Sequence, residues 1–88
     1  MSVHKAISQH SQKQHDAIKK FLELDTLREM HINEAINRCA TNQPFTVEAI
    51  NQVTKQINDM AVKEIVPTRK MVTVEMIQEY VKNKKHQV

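Results

Sequence analysis

The sequence predicts an all-α fold, a three-helix hairpin or bundle with a long first helix over about 3–41, a second over about 47–65 and a short third over about 74–84. Three observations predict it. None of the 88 residues is glycine, and tight hairpin turns and phosphate-cradling loops both depend on glycine. Apolar residues recur at helical spacing in three stretches. Each stretch opens with a hydroxyl residue able to cap a helix, Ser2, Thr46 or Thr73.

The first stripe is Val3, Ile7, Ala17, Ile18, Phe21, Leu24, Ile32, Ala35, Ile36 and Cys39. At 100° per residue these positions fall in a sector about 120° wide. The phase does not slip, which favours one helix of roughly 58 Å. Thr26-Leu27-Arg28-Glu29 also matches a capping box, and Asp25 is a fair cap. A break near Asp25 therefore remains an alternative. The stripe is polar at His10 and Gln14 and again at Asp25 and Arg28. The favoured expectation is that these stretches face solvent or a wet interface; the other is that they set register between packed helices.

Thr41-Asn42-Gln43-Pro44 ends the first helix, because Asn tolerates the left-handed cap conformation and Pro44 cannot continue a helix. Thr46 caps the second, with Phe45 and Ile50 placed as a hydrophobic staple. Its stripe is Ile50, Val53, Ile57 and Met60, with Ala61 and Ile65 beyond, and it stops near Ile65 because Pro67 restricts Val66. A basic linker over 66–72 follows. Thr73 caps the third helix, stapled by Val72 and Ile77, with Val74, Ile77, Tyr80 and Val81 on one face and fraying from Lys82. Phe45–Ile50 echoes Val72–Ile77, offset by 27 residues. Shared start chemistry is the favoured reading over a true repeat.

The length suits a single helical domain, 1–88. Two Phe, one Tyr and no Trp leave the core to aliphatic side chains, and a chain this small has a thin core. The first twenty residues hold no apolar signal core and no run reaches bilayer length, so the expectation is a soluble, cytoplasmic protein without membrane contact. Residues 1–62 are neutral, and the whole net charge of +3 sits in 63–88.

Lengths then point to an assembly. The second helix reaches back only over Leu24 to Cys39, leaving the stripe from Val3 to Ile18 bare. Exposed apolar stripes mark partner surfaces. A homodimer with antiparallel, coiled-coil-like first helices would cover this one, with Val3, Ile7, Ala17, Ile18, Phe21 and Leu24 as the interface.

The chemistry-bearing residues offer little. His4, His10, His15 and His31 lack the three- or four-residue spacing of a helical metal pair; His31 and Glu34 form one such pair but no second half follows. Removal of Met1 would expose Ser2-Val3-His4, a Cu(II)- or Ni(II)-binding pattern; a retained Met1 ends that idea. Cys39 lies on the stripe and reads as an inert buried thiol. No nucleophile elbow is present, and so short a chain is expected to hold no pocket of a few hundred Å3. Neither enzyme activity nor a cofactor is expected. The alternative function is weak nucleic-acid binding through Arg69, Lys70, Lys82, Lys84 and Lys85. No helix follows the third to read bases, and the linker is long for a helix-turn-helix.

Met1-Ser2-Val3-His4-Lys5-Ala6-Ile7-Ser8-Gln9-His10 and the block from Phe45 to Ile57 resemble a family of short uncharacterised proteins from spore-forming Gram-positive bacteria. The resemblance implies a bacterial cytoplasmic protein and supplies no functional residue. The reading is a small non-enzymatic interaction or regulatory protein working through self-association or partner helices.

Overall fold

The computed structural model describes the backbone of residues 2–64 and 66–86 and the side chains of 15–64 and 66–84. It contains three helices: α1 (Ser2–Ala40), α2 (Glu48–Lys63) and α3 (Val74–His86). α1 runs unbroken through Asp25, so the single-helix reading holds and the capping box at Thr26 starts nothing. No Pro or Gly interrupts the ladder there, and a helix continues wherever nothing stops it.

α1 ends in a Schellman motif. The Gln43 N–H donates to the Arg38 carbonyl at 2.7 Å and the Asn42 N–H to the Cys39 carbonyl at 3.2 Å. That geometry needs a left-handed residue at the second position. Asn42 supplies it, with φ of 60°. Thr41 caps from the side, its hydroxyl donating to the Asn37 carbonyl at 2.9 Å.

α2 folds back antiparallel on α1. Its N-cap is Val47, which makes no side-chain cap bond, rather than the expected Thr46; the Thr46 hydroxyl sits one residue too early and instead accepts the Glu48 N–H at 2.9 Å in a local turn. α2 ends at Lys63, because Glu64 turns extended, two residues before the expected stop. In α3 the Thr73 cap forms as expected, its Oγ1 accepting the Met76 N–H at 3.2 Å. α3 runs to His86, two residues past the expected end near 84.

The core lies in two clusters along α1. One joins Ala35, Ile50, Val72 and Ile77 with Ile32, Ile36, Cys39, Phe45 and Val47 packed around them. The other joins Phe21, Val53 and Ile57 with Leu24, Met60 and Val66. Both hydrophobic staples thus feed one cluster, and the Phe45–Ile50 and Val72–Ile77 echo marks two helix starts that share the Ile32–Cys39 stretch of α1. Among the described side chains of α3, Ile77 and Val81 are the buried ones; Val74 and Tyr80, expected on that face, are exposed. The backbones of α2 and α3 each approach α1 closely but not each other.

Residues 66–73 form an extended strap that returns along α2, held by two asparagines. Asn58 Nδ2 donates to the Arg69 carbonyl at 2.9 Å while its Oδ1 accepts the Arg69 N–H at 2.7 Å. Asn51 does the same for Val72, at 2.8 Å in both directions. Seven residues of helix rise about 10.5 Å. Three residues of polyproline II rise about 9.3 Å and return to the same face. That match lets two side chains on one helical face satisfy two residues of an extended chain.

Candidate interaction surface

Between the two clusters runs a polar seam, and it decides which charged residues are free for a partner. Arg69 Nε donates to Asp25 Oδ1 at 2.9 Å. The same guanidinium stacks over the Phe21 ring, 5.0 Å from its centroid. Next to it, Arg28 Nε donates to Thr54 Oγ1 at 2.8 Å and its Nη2 to the Lys70 carbonyl at 2.8 Å. Thr54 is fully buried and its hydroxyl donates to the Ile50 carbonyl at 2.8 Å. Every buried side-chain polar atom among the described residues has a partner. Asp25 and Arg28 are half-buried and hydrogen-bonded across the seam, so the part of the favoured expectation that placed them in open solvent is corrected and the part that placed them at a wet interface stands. They face α2 and the strap, whose polar groups need hydrogen bonds.

The seam perturbs its own charges. The hydrogen bond from Arg69 holds the Asp25 carboxyl below the usual carboxylate range, against an opposing contribution from burial, with the positive charges of Arg69 and Arg28 adding to the lowering. The same bond raises Arg69.

Arg69, of the basic set expected for nucleic acid, is thereby paired within its own chain while about one-third exposed. Lys70, Lys82 and Lys84 are exposed, and Lys84 Nζ sits 5.9 Å from the Tyr80 ring centroid. The Lys85 side chain lies outside the described residues.

The expected interface set divides similarly. Phe21 is 7% exposed and belongs to the core of its own chain. Leu24 is half-buried and packs against that same cluster. Periodicity told which face of α1 is apolar, but not that α2 reaches one turn further than Leu24. Ala17 is half-buried, whereas Ile18 is 49% and Leu22 is 56% exposed. The side chains of Val3 and Ile7 lie outside the described residues, as do Ser2, His4, His10 and Gln14.

Where α2 gives out, an open groove of about 640 Å3 lies between the helices. This corrects the expectation that so short a chain holds no such space: two helices of unequal length leave one. Its apolar lining is Ala17, Leu24 and Met60, and its charged rim is Asp16, Lys20, Asp59, Lys63 and Glu64. The molecule is long, 61 × 25 × 15 Å, with a radius of gyration of 17.8 Å. A compact chain of this length has about 12 Å.

The remaining candidates gather no chemistry. Cys39 is half-buried against the first cluster. His31 Nδ1 lies 4.0 Å from Glu34, which is also paired to Arg38 at 3.0 Å. No group of three or more His, Cys, Asp and Glu is placed to hold a metal among the described residues. No helix among them is long and apolar enough to cross a membrane.

Sequence reasoning missed Asn51, Asn58 and Thr54. The available signal was their spacing, since all three border the Ile50–Val53–Ile57 stripe in mid-helix, where such residues are poor helix formers.

A family model described as "Protein of unknown function (DUF2533)" matches residues 1–83, and the chain belongs to that family. The chain is 53% identical over 79 residues to the "Uncharacterized protein YpbS" of Bacillus subtilis (strain 168), covering 90% of this chain and 93% of that relative. No solved structure matches.

Proposed function

We propose that this member of a family of unknown function is a non-enzymatic helical interaction protein that works by self-association through the first half of α1. One observation carries the reading. α1 has 39 residues and α2 has 16, so α2 is too short to line the whole of α1 and, among the described residues, meets it only as far as Asp16. The sequence continues the apolar stripe beyond it, through Ile7 and Val3, and Ile18 stands half exposed at the edge of the covered region. The interface is thus Val3, Ile7, Ala17 and Ile18, with Leu24 as its inner limit and Phe21 left to the core. Burial of such a stripe contributes about 25 cal/mol per Å2, and a twofold pair covers both copies at once.

The test is light scattering after size exclusion on the wild type and on two variants. Ile18→Asp converts the dimer to a monomer with unchanged helical circular dichroism. Phe21→Ala instead destabilises the fold itself by about 3–5 kcal/mol. A wild type that is monomeric at micromolar concentration overturns the reading, as does an Ile18→Asp chain that stays dimeric.

A further inference from the structure

We propose that the groove at the end of α2 is the seat of residues 2–14 of a second copy of this chain, the two α1 helices running antiparallel. The inference rests on the self-association reading and adds which segment sits where.

Symmetry selects the direction. In a parallel twofold pair each residue faces its own counterpart, so residues 2–14 would lie against residues 2–14 and both grooves would stay open. In an antiparallel pair a segment near the N-terminus faces a position further along the partner, and the twofold fills both grooves by the same contact.

The groove continues the path that α2 already follows. α2 lies antiparallel on the α1 stripe and stops at Lys63, beside Lys20 and Asp16. A second α1 running the same way lies alongside the last turns of α2 and extends past them over the stripe that α2 leaves. Ala17, Leu24 and Met60 offer it an apolar floor continuous with the Phe21–Val53–Ile57 cluster.

Charge selects the occupant. The rim holds three carboxylates, Asp16, Asp59 and Glu64, against the two cations Lys20 and Lys63. Residues 2–14 carry Lys5 and Lys13 and no acidic residue. A segment with two lysines and no carboxylate thus meets a rim of net charge −1 around an apolar floor, with Val3 and Ile7 as its apolar contribution.

Zero-length carbodiimide cross-linking of a mixture of 14N- and 15N-labelled chains tests this. Expected are inter-chain links from Lys5 or Lys13 to Asp59 or Glu64. As a second measurement, D59K/E64K raises the dimer dissociation constant about tenfold at low salt, and K5E/K13E in the same chain restores it. A dimer whose inter-chain links all lie elsewhere, and whose affinity ignores both charge reversals, overturns the groove docking while self-association stands. A wild type found monomeric overturns both.

Discussion

Asp25 and Arg69, 44 residues apart in the chain, meet in a forked contact, Nε to Oδ1 at 2.9 Å and Nη2 to Oδ2 at 3.4 Å. The pair ties the strap to the middle of α1 and gives the fold an acid-sensitive point. The Asp25 carboxyl is held below its ordinary value by that bond. Between the folded and the ordinary value, near 3.9, the unfolded chain binds more protons than the folded one, so stability rises with pH there. The contribution is complete above the unfolded value and is lost as pH falls through the folded one. Melting curves between about pH 5 and pH 2 will show the wild type losing stability more steeply than Asp25→Asn. At pH 7 that variant costs about 1 kcal/mol, a modest figure because the pair is about one-third exposed. Parallel acid limbs for the two proteins would remove Asp25 from this role.

The asparagine clamps predict a signature in the strap rather than in the helices. Asn51→Ala and Asn58→Ala each leave one residue of the strap without its partner and cost about 1–2 kcal/mol. Hydrogen exchange will locate the damage, with Asn58→Ala releasing the Arg69 amide and Asn51→Ala the Val72 amide. Unaltered protection of both amides would show that the side chains merely lie close.

Asn42 holds the left-handed turn in a chain without glycine. Asn42→Gly is tolerated within about 0.5 kcal/mol, whereas Asn42→Val costs about 1–2 kcal/mol, because a β-branched side chain crowds the preceding backbone there. Denaturant midpoints measure both. Equal midpoints would mean the loop escapes to another conformation.

The sequence was informative where chemistry is local. Periodicity found the buried positions Phe21, Ala35, Ile50, Val53 and Ile57, and cap chemistry found Asn42 and Thr73. Reading failed where two remote segments meet. Nothing in the spacing of Asp25 and Arg69 links them, because their contact exists only once 66–73 has been laid along α2. Arg69 therefore looked like a free cation in a basic linker. Phe21 was assigned to a partner for a related reason: a stripe gives the angle of a residue around its helix, not the neighbour that fills the angle. The groove was illegible because it comes from the difference between two helix lengths, and no single motif encodes a difference.

The seam has a consequence for how many ways this chain can pack. An interior of isoleucine, valine and alanine discriminates poorly among near-equivalent arrangements, since one aliphatic surface slides over another at little cost. Here a one-turn slip of α2, about 5.4 Å, would separate Arg28 from Thr54 and break that hydrogen bond, a penalty of about 1–3 kcal/mol. The four polar side chains Asp25, Arg28, Thr54 and Arg69 thus attach a hydrogen-bond cost to a slipped register that an aliphatic contact alone would not carry.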